Sequence, residues 1–326
     1  MTVPLLIDTD PGIDDALALL LALASPEVSV EAISTVAGNV PVEVATTNAL
    51  RVLEAARPPH RPRVARGAEA PLTRPLVTAS HVHGEDGLGN IQGLLGPDRR
   101  PRYPEPHSGI EMLDGADLIL ETADRFRGEL VIVALGPLTN LAIALQRDWR
   151  RLASAARVVV MGGAVAVPGN VTPGAEFNFF VDPEAAATVF EAGLPLEMVP
   201  LDVTRQAVLR RADLEARLSP PLGPVEQLLL DVTAYGFDVA AARGDGGIVL
   251  HDPLAIAVAL DPSLVDFQAL HVEVESEGRV ARGLSLADRR PIPVESRLPA
   301  NCRVALSVDA PRFLTLFLER LCRASA

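Results

Sequence analysis

Lysine is absent from this sequence, and all 29 basic residues are arginine. Any mechanism that needs a catalytic lysine is therefore excluded. Positive charge is scarce as well: 42 acidic residues leave a net charge of −13 and an isoelectric point near 4.9. Nucleic-acid binding relies on a basic stripe that neutralises phosphates, so no nucleic-acid partner is expected. Small neutral ligands, sugars and cations stay open. Cysteine is nearly absent too. Cys302 and Cys322 lie in apolar company near the C-terminus, which makes no disulfide framework and fits a reduced cytoplasm. Long apolar runs are missing. Ala16–Ala24 is apolar, but acids precede it instead of a basic segment, and it is too short to span a bilayer. No signal peptide and no membrane partner are expected.

What is present is a large apolar fraction, 48%, with 22% charged residues and no long polar tract. That composition supports a packed core and argues against disorder. No internal repeat and no linker divides the chain, so residues 1–326 are taken as one domain.

The order of elements points to an α/β fold. An apolar strand is expected over Val3–Ile7, a turn over Asp8–Asp14 and a helix over Asp15–Ala24. A second strand runs over Val28–Val36, and a second helix over Val42–Ala56. This βαβα start implies a mostly parallel central sheet flanked by helices. Buried strands recur at Leu130–Leu135, Val158–Met161 and Leu196–Pro200, with a helix from Leu138. Pro71–Gly109 is rich in Gly, Pro and His and reads as a long functional loop. Val225–Ala242 reads as a helix. Alternation over Leu264–Val308 suggests antiparallel strands at a sheet edge near the C-terminus, closed by a helix over Pro311–Arg320.

The chemistry concentrates in Asp8-Thr9-Asp10-Pro11-Gly12-Ile13-Asp14-Asp15, four carboxylates within eight residues. They fall at the C-terminal end of a parallel strand, where α/β sheets bind ligands. One or two such aspartates would be ordinary: Asp14 could cap the helix, and Asp15 could favour its dipole. Dipole effects of only ~0.3–1 kcal/mol each do not call for four. Crowded carboxylates repel unless a proton or cation intervenes, and their hard oxygens suit Ca²⁺ or Mg²⁺.

That segment resembles the N-terminal fingerprint of the inosine-uridine-preferring nucleoside hydrolases. Further matching motifs follow in order: Val36-Ala37-Gly38-Asn39, His83-Gly84-Glu85-Asp86-Gly87-Leu88, Gly136-Pro137-Leu138-Thr139-Asn140, Met161-Gly162-Gly163, Asn170, Glu176-Phe177-Asn178, Asp182-Pro183-Glu184-Ala185 and His251-Asp252-Pro253. The resemblance implies a Rossmann-related, nucleoside hydrolase-like fold and Ca²⁺-dependent cleavage of the N-glycosidic bond of ribonucleosides. By carry-over, Ca²⁺ is held by Asp10, Asp15, Asp252 and the backbone carbonyl of Leu135, a position where the family more often has Thr. Asp10 is the implied general base toward water. Asp14, Asn39, Asn170, Glu176 and Asn178 are implied ribose ligands, His83 a sugar or base contact, and His251 the residue beside the leaving base. The transition state is oxocarbenium-like, and 2′-deoxynucleosides should be poor substrates, because buried hydrogen-bonding groups would be left unpaired. Relatives imply a homodimer or homotetramer.

Tryptophans that stack on purines mark the purine-specific branch, whereas the single tryptophan here, Trp149, lies far in sequence from the expected pocket loops. Uridine, cytidine or inosine are the expected substrates. Tyr235 and Phe237 read as core residues or as base-stacking ones. Two competing readings remain open: a Mg²⁺-dependent phosphatase of the haloacid-dehalogenase type, and a non-catalytic nucleoside-binding module. The first usually needs a later lysine, and it leaves Asp14 and Asp15 unexplained.

Overall fold

The computed structural model describes residues 2–106, 109–293 and 296–322. The segments 71–109 and 264–308 each include a residue pair, 107–108 and 294–295, outside those described.

The expected βαβα start is present: β1 (Val3–Thr9), α1 (Ile13–Leu23), β2 (Val28–Thr35) and α2 (Val42–Ala56). There follow β3 (Arg63–Arg66), α3 (Ser80–His83), α4 (Gly115–Arg125), β4 (Val131–Ala134), α5 (Thr139–Leu152), β5 (Arg157–Met161), α6 (Phe177–Val181), α7 (Pro183–Glu191), β6 (Leu196–Val199) and α8 (Leu201–Thr204). The chain continues through β7 (Val208–Leu209), α9 (Arg211–Glu215), α10 (Pro224–Arg243), β8 (Ile248–Val249), α11 (His251–Leu260), β9 (Val265–Leu270), β10 (Val272–Val274), β11 (Ser285–Ala287), β12 (Cys302–Val308) and α12 (Ala310–Leu321).

Eight strands form the central sheet in the order β3-β2-β1-β4-β5-β6-β12-β9. Every neighbouring pair is parallel except β12 with β9. Side chains alternate across the sheet as strand geometry requires. Leu5 and Ile7 join the apolar core built with α1, α2 and α11, while Leu6 joins the core built with α4, α5 and α7. Both faces are thus covered, which explains the unbroken apolar strands.

The C-terminal part differs from its expectation in arrangement. Only β9 is an antiparallel edge strand; β12 lies inside it and runs parallel to β6. β10 and β11 make a separate antiparallel pair. Alternation along each strand marks a strand but does not say which neighbour it pairs with. Helix α1 also starts two residues before the expected Asp15, because Asp15 reaches back to accept from Gly12 N–H at 3.0 Å. Asp14 and Asp15 therefore sit inside the first helical turn.

The order of strands reverses between β1 and β4, whose successors run to opposite edges. That switch point opens a crevice at the carboxyl ends of the strands. Two helices aim at it. Residues Ile13–Ala22 of α1 and Asp252–Ala259 of α11 are buried, and the two helices pack against each other. A helix apolar on all sides is a core helix, so both are fixed by packing. Each brings a first turn bearing aspartate to the same place.

The loop before α4 is held by polar bonds. Asp86 accepts from the backbone N–H groups of Leu88, Asn90 and Gln92 at 2.7–2.9 Å. The fully buried Asn48 of α2 donates to Pro11 O at 3.0 Å and to Asp86 O at 2.8 Å, joining the carboxylate turn to this loop. Removing that amide leaves two carbonyls short of a donor, at ~1–3 kcal/mol each. Asn48→Leu is expected to lower the unfolding free energy by about 2–6 kcal/mol in urea denaturation. It should also speed proteolysis near Gly84–Gly93. Unchanged stability together with unchanged protease resistance would show that the joint is dispensable.

Candidate active site

A cavity of about 390 Å³ opens at the switch point. Asp14, Asn39, His83, Leu135, Asn170, Glu176, Asn178, His251 and Asp252 all line it. Asp10 and Asp15 are fully buried directly behind this lining. The structure thus gathers the implied metal, ribose and base-side residues around one cavity.

Carboxylates dominate its floor. Oxygens of Asp14, Asp15 and Asp252 lie within 4.8 Å of one another. Asp15 accepts four hydrogen bonds: from Thr9 Oγ1 at 2.5 Å, Asp10 N–H at 3.2 Å, Gly12 N–H at 3.0 Å and Asn39 Nδ2 at 3.0 Å. Asp10 accepts from Asn39 N–H at 2.6 Å through Oδ2, while its buried Oδ1 has no partner. Glycines make room for it. A Cβ on Gly38 would come within 2.0 Å of Asp10 Oδ2, and one on Gly136 within 2.5 Å of Oδ1.

Burial and mutual repulsion hold protons on this cluster. Burial, then the charge of Asp15, raises Asp14 from 3.8 to about 8. The same two causes raise Asp10 well above the usual carboxylate range. Asp252 is raised by burial and then by Asp14, Asp15 and Asp10. Several acids in a dry site with one oxygen unpaired need a positive charge to ionise together. A hard divalent cation fits this oxygen-only donor set. The three mutually close carboxylates include Asp14, which the resemblance places among the ribose ligands. Asp10 stands just behind them.

Opposite the acids, the cavity wall is built from loops after β5. Glu176 caps α6, accepting from Gly163 N–H and Asn178 N–H at 3.0 Å; burial raises it to about 7 against those donors. Asn178 Nδ2 donates to Leu135 O at 2.6 Å and to Met161 O at 3.2 Å. The carbonyl implied as a metal ligand is thus in contact with a residue implied to hold ribose. Asn170 lies on an exposed loop at the rim.

Two histidines face the cavity from different elements. His83 Nδ1 accepts from Ile13 N–H at 3.0 Å at the start of α1. In a neutral ring the remaining proton then sits on Nε2. His251 Nδ1 lies 2.8 Å from Thr204 Oγ1. Burial lowers both histidines to about 4, so they are neutral at physiological pH.

Sequence reasoning missed the mouth. Gly236, Val239, Ala240 and Arg243 of α10 line it together with His81 and Asp245. Their spacing i, i+3, i+4, i+7 marks one helix face, a signal that was present in the sequence. Tyr235 and Phe237 do not line the cavity. Phe237 is buried beneath the Arg211 guanidinium, 5.0 Å from its ring centre, and Tyr235 packs against Gly89 in the loop that carries His83. Trp149 is 55% exposed on α5, away from the cavity.

Known proteins share this architecture. The sequence pattern of the family described as inosine-uridine preferring nucleoside hydrolase matches residues 5–315. The pyrimidine-specific ribonucleoside hydrolase RihA of Salmonella typhi is 38% identical over 323 residues, covering 98% of this chain and 99% of that protein. A plant nucleoside hydrolase superimposes with a TM-score of 0.87 at 35% identity, over 99% of this chain and 100% of that one. A purine-preferring ribonucleoside hydrolase from Gardnerella vaginalis gives 0.86 at 31% identity, over 98% of each chain. With Leu5–Thr9 of β1, its carboxylate turn and the first turn of α11 all inside the matched residues, this chain belongs to the inosine-uridine preferring nucleoside hydrolase family of enzymes that hydrolyse ribonucleosides.

Proposed function

We propose that residues 1–326 act as one Ca²⁺-dependent hydrolase domain that splits uridine, cytidine or inosine into ribose and free base. The observation that carries this reading is the floor: Asp14, Asp15 and Asp252 with oxygens within 4.8 Å, beside the unpartnered Asp10 Oδ1. Asp10, Asp15, Asp252 and the carbonyl of Leu135 are the residues that would hold the cation. When bound, Ca²⁺ would supply a fixed positive charge suited to hard oxygen ligands and to lowering the pKa of a water. Asp10 takes the proton from that water. Asp14, Asn39, Asn170, Glu176 and Asn178 hold the ribose hydroxyls and so position C1′ while the C1′–N bond breaks. The histidines face the base: His83 from the loop before α4, His251 from the start of α11. Similarity to RihA supports pyrimidines, while similarity to a purine-preferring enzyme keeps inosine in the set. The sparse, buried cysteines support a cytoplasmic enzyme, and the family resemblance supports a homodimer or homotetramer.

The direct test is release of free base from each ribonucleoside. A chelator should abolish it and Ca²⁺ restore it. Base release that persists at full rate in the chelator would remove the metal from the proposal, and no release from any ribonucleoside would remove the activity.

Stability gives a second measure of the cation. A carboxylate whose pKa is raised by folding contributes stability that is full below the unfolded value and lost as pH rises through the folded one. For Asp14 that window runs from 3.8 to about 8. Asp10 and Asp252 shift in the same direction. Ca²⁺ takes over the role of those protons, so its stabilising effect should grow with pH across this window. Saturation at a hundredfold the Kd adds ~2.7 kcal/mol. The Ca²⁺-induced rise in Tm should be larger near pH ~8 than near pH ~6; a pH-independent rise would contradict a carboxylate site.

Substitutions separate the roles. Asp10→Asn keeps shape but removes the proton acceptor, and kcat should fall at least ~10²-fold. Near-normal turnover would mean that another group is the base. His251→Ala should cut kcat sharply on inosine or uridine but much less on p-nitrophenyl riboside, whose leaving group needs no help. Asn178→Ala should harm both substrates alike. Equal losses for His251→Ala on the two substrates would take His251 away from the leaving group.

A further inference from the structure

Thr204 is fully buried at the end of α8 and does not line the cavity, yet its hydroxyl lies 2.8 Å from His251 Nδ1. No other side-chain hydrogen bond to this hydroxyl is made among the described residues. The two residues are held in fixed relation by backbone on both sides. Thr204 N–H donates to Pro200 O at 3.1 Å, directly after β6. Leu250 N–H, immediately before His251, donates to Ala207 O at 2.8 Å, three residues after Thr204. Between these points β7 and β8 pair antiparallel, Val208 with Val249 and Leu209 with Ile248. This short ladder has no part in the main sheet, and it ties the segment after Thr204 to the segment before His251.

We propose that Thr204 is a positioning residue: its hydroxyl donates to His251 Nδ1 and so fixes the ring with its proton on Nε2, aimed at the leaving base. An imidazole that accepts on one nitrogen carries its proton on the other, and the bond made by the far nitrogen selects the tautomer. Nε2 has no protein partner among the described residues, and the ring lines the cavity. Its N–H then donates a hydrogen bond to a carbonyl or ring nitrogen of the departing base. No proton leaves the ring; the base anion takes its proton from water. The same logic already governs His83, whose Nδ1 is occupied by Ile13 N–H. Both histidines thus present an N–H, one set by a backbone amide and one by a hydroxyl. This inference rests on the reading of His251 as the base-side residue.

The test compares Thr204→Val, which keeps the shape and removes the hydroxyl, with Thr204→Ser, which keeps the hydroxyl. Each is assayed with Ca²⁺ present on p-nitrophenyl riboside and on uridine or inosine, whichever the wild type cleaves faster. Thr204→Val should lose at least ~10-fold in kcat on the nucleoside and less than ~2-fold on the activated riboside, as loss of an orienting partner does. Thr204→Ser should stay within ~2-fold of wild type on both. Nitrogen-15 NMR of histidine-labelled protein should show His251 protonated on Nε2 in the wild type and as a mixture of tautomers in Thr204→Val. Equal losses on both substrates, a serine variant as impaired as the valine one, or a wild-type His251 protonated on Nδ1 would each overturn the assignment. A wild type that cleaves no ribonucleoside would sink the proposed activity instead, and the NMR result would still decide the tautomer.

Discussion

Repulsion among buried carboxylates is the constraint around which the rest of the molecule is arranged. At an effective dielectric of ~20, two unit charges 4.8 Å apart repel by about 3–4 kcal/mol. The three pairs formed by Asp14, Asp15 and Asp252 would together approach ~10 kcal/mol, as large as the whole stability of a typical domain. Such a cluster folds only if it holds protons or a cation. Among the described residues no arginine is paired with these carboxylates, although the chain has 29 of them. They supply neutral donors instead: Thr9, Asn39 and the amides of Asp10 and Gly12 solvate Asp15. Neutral donors orient the oxygens without cancelling their charge, which leaves the site attractive to a cation.

The fold makes this arrangement possible by putting rigid elements on each side of it. Two apolar helices, α1 and α11, are buried against each other and present their N-terminal turns to the cluster. The positive end of each helix dipole offsets part of the negative charge, by ~0.3–1 kcal/mol per helix at exposed ends and more when buried. β1 and β4 contribute the turn with Asp10 and the carbonyl of Leu135. Those groups directly follow two strands that pair with each other, Asp8 opposite Ala134. Asp8 itself is fully buried and accepts from Ser34 and Asn140 at 2.6 and 2.7 Å. Asn140 also accepts from Ala68 N–H and donates to Thr35 O, so the ends of β1 and β2 and the following loop are joined through one side chain.

Much of this was legible before any coordinates. The alternation of apolar strands and helices gave the parallel sheet, and the acidic turn after β1 gave the cluster, because both are local patterns in the chain. Asn39, Asn178 and His251 came only through their place in a matching series of motifs. Their chemistry is not local: Asn178 acts on Leu135 O from 43 residues away. Strand β3, with only four residues at the sheet edge, and helix α4 were not anticipated, although α4 buries Leu118, Ile119, Leu120 and Ala123. Thr204 and Asn48 were invisible, and the role of Asn140 was hidden, for a different reason. A buried Thr or Asn is informative only once its partner is known, and each here bonds to residues brought close by the sheet.

The cavity is chemically divided, and the division follows from which elements build each part. Its floor comes from strand ends and the first turns of core helices, which cannot change without disturbing the sheet. Its mouth comes from one face of α10, where Gly236, Val239 and Ala240 are small and uncharged and Arg243 stands at the exposed rim. Substitutions on that face alter the room and the donors offered to a base while leaving the carboxylates untouched. Relatives named for pyrimidine and for purine substrates match this chain nearly end to end, as expected if sugar chemistry is set by the floor and base choice by the mouth. A polar side chain at Val239 would add a donor or acceptor within the mouth at little cost to the core, because that residue is only partly buried. The same change at Leu135 or Met161 would place a polar group in the buried floor beside the carboxylates. Under the proposed function, base specificity would drift on a helix face while the carboxylate floor stays fixed by the packing of α1 and α11.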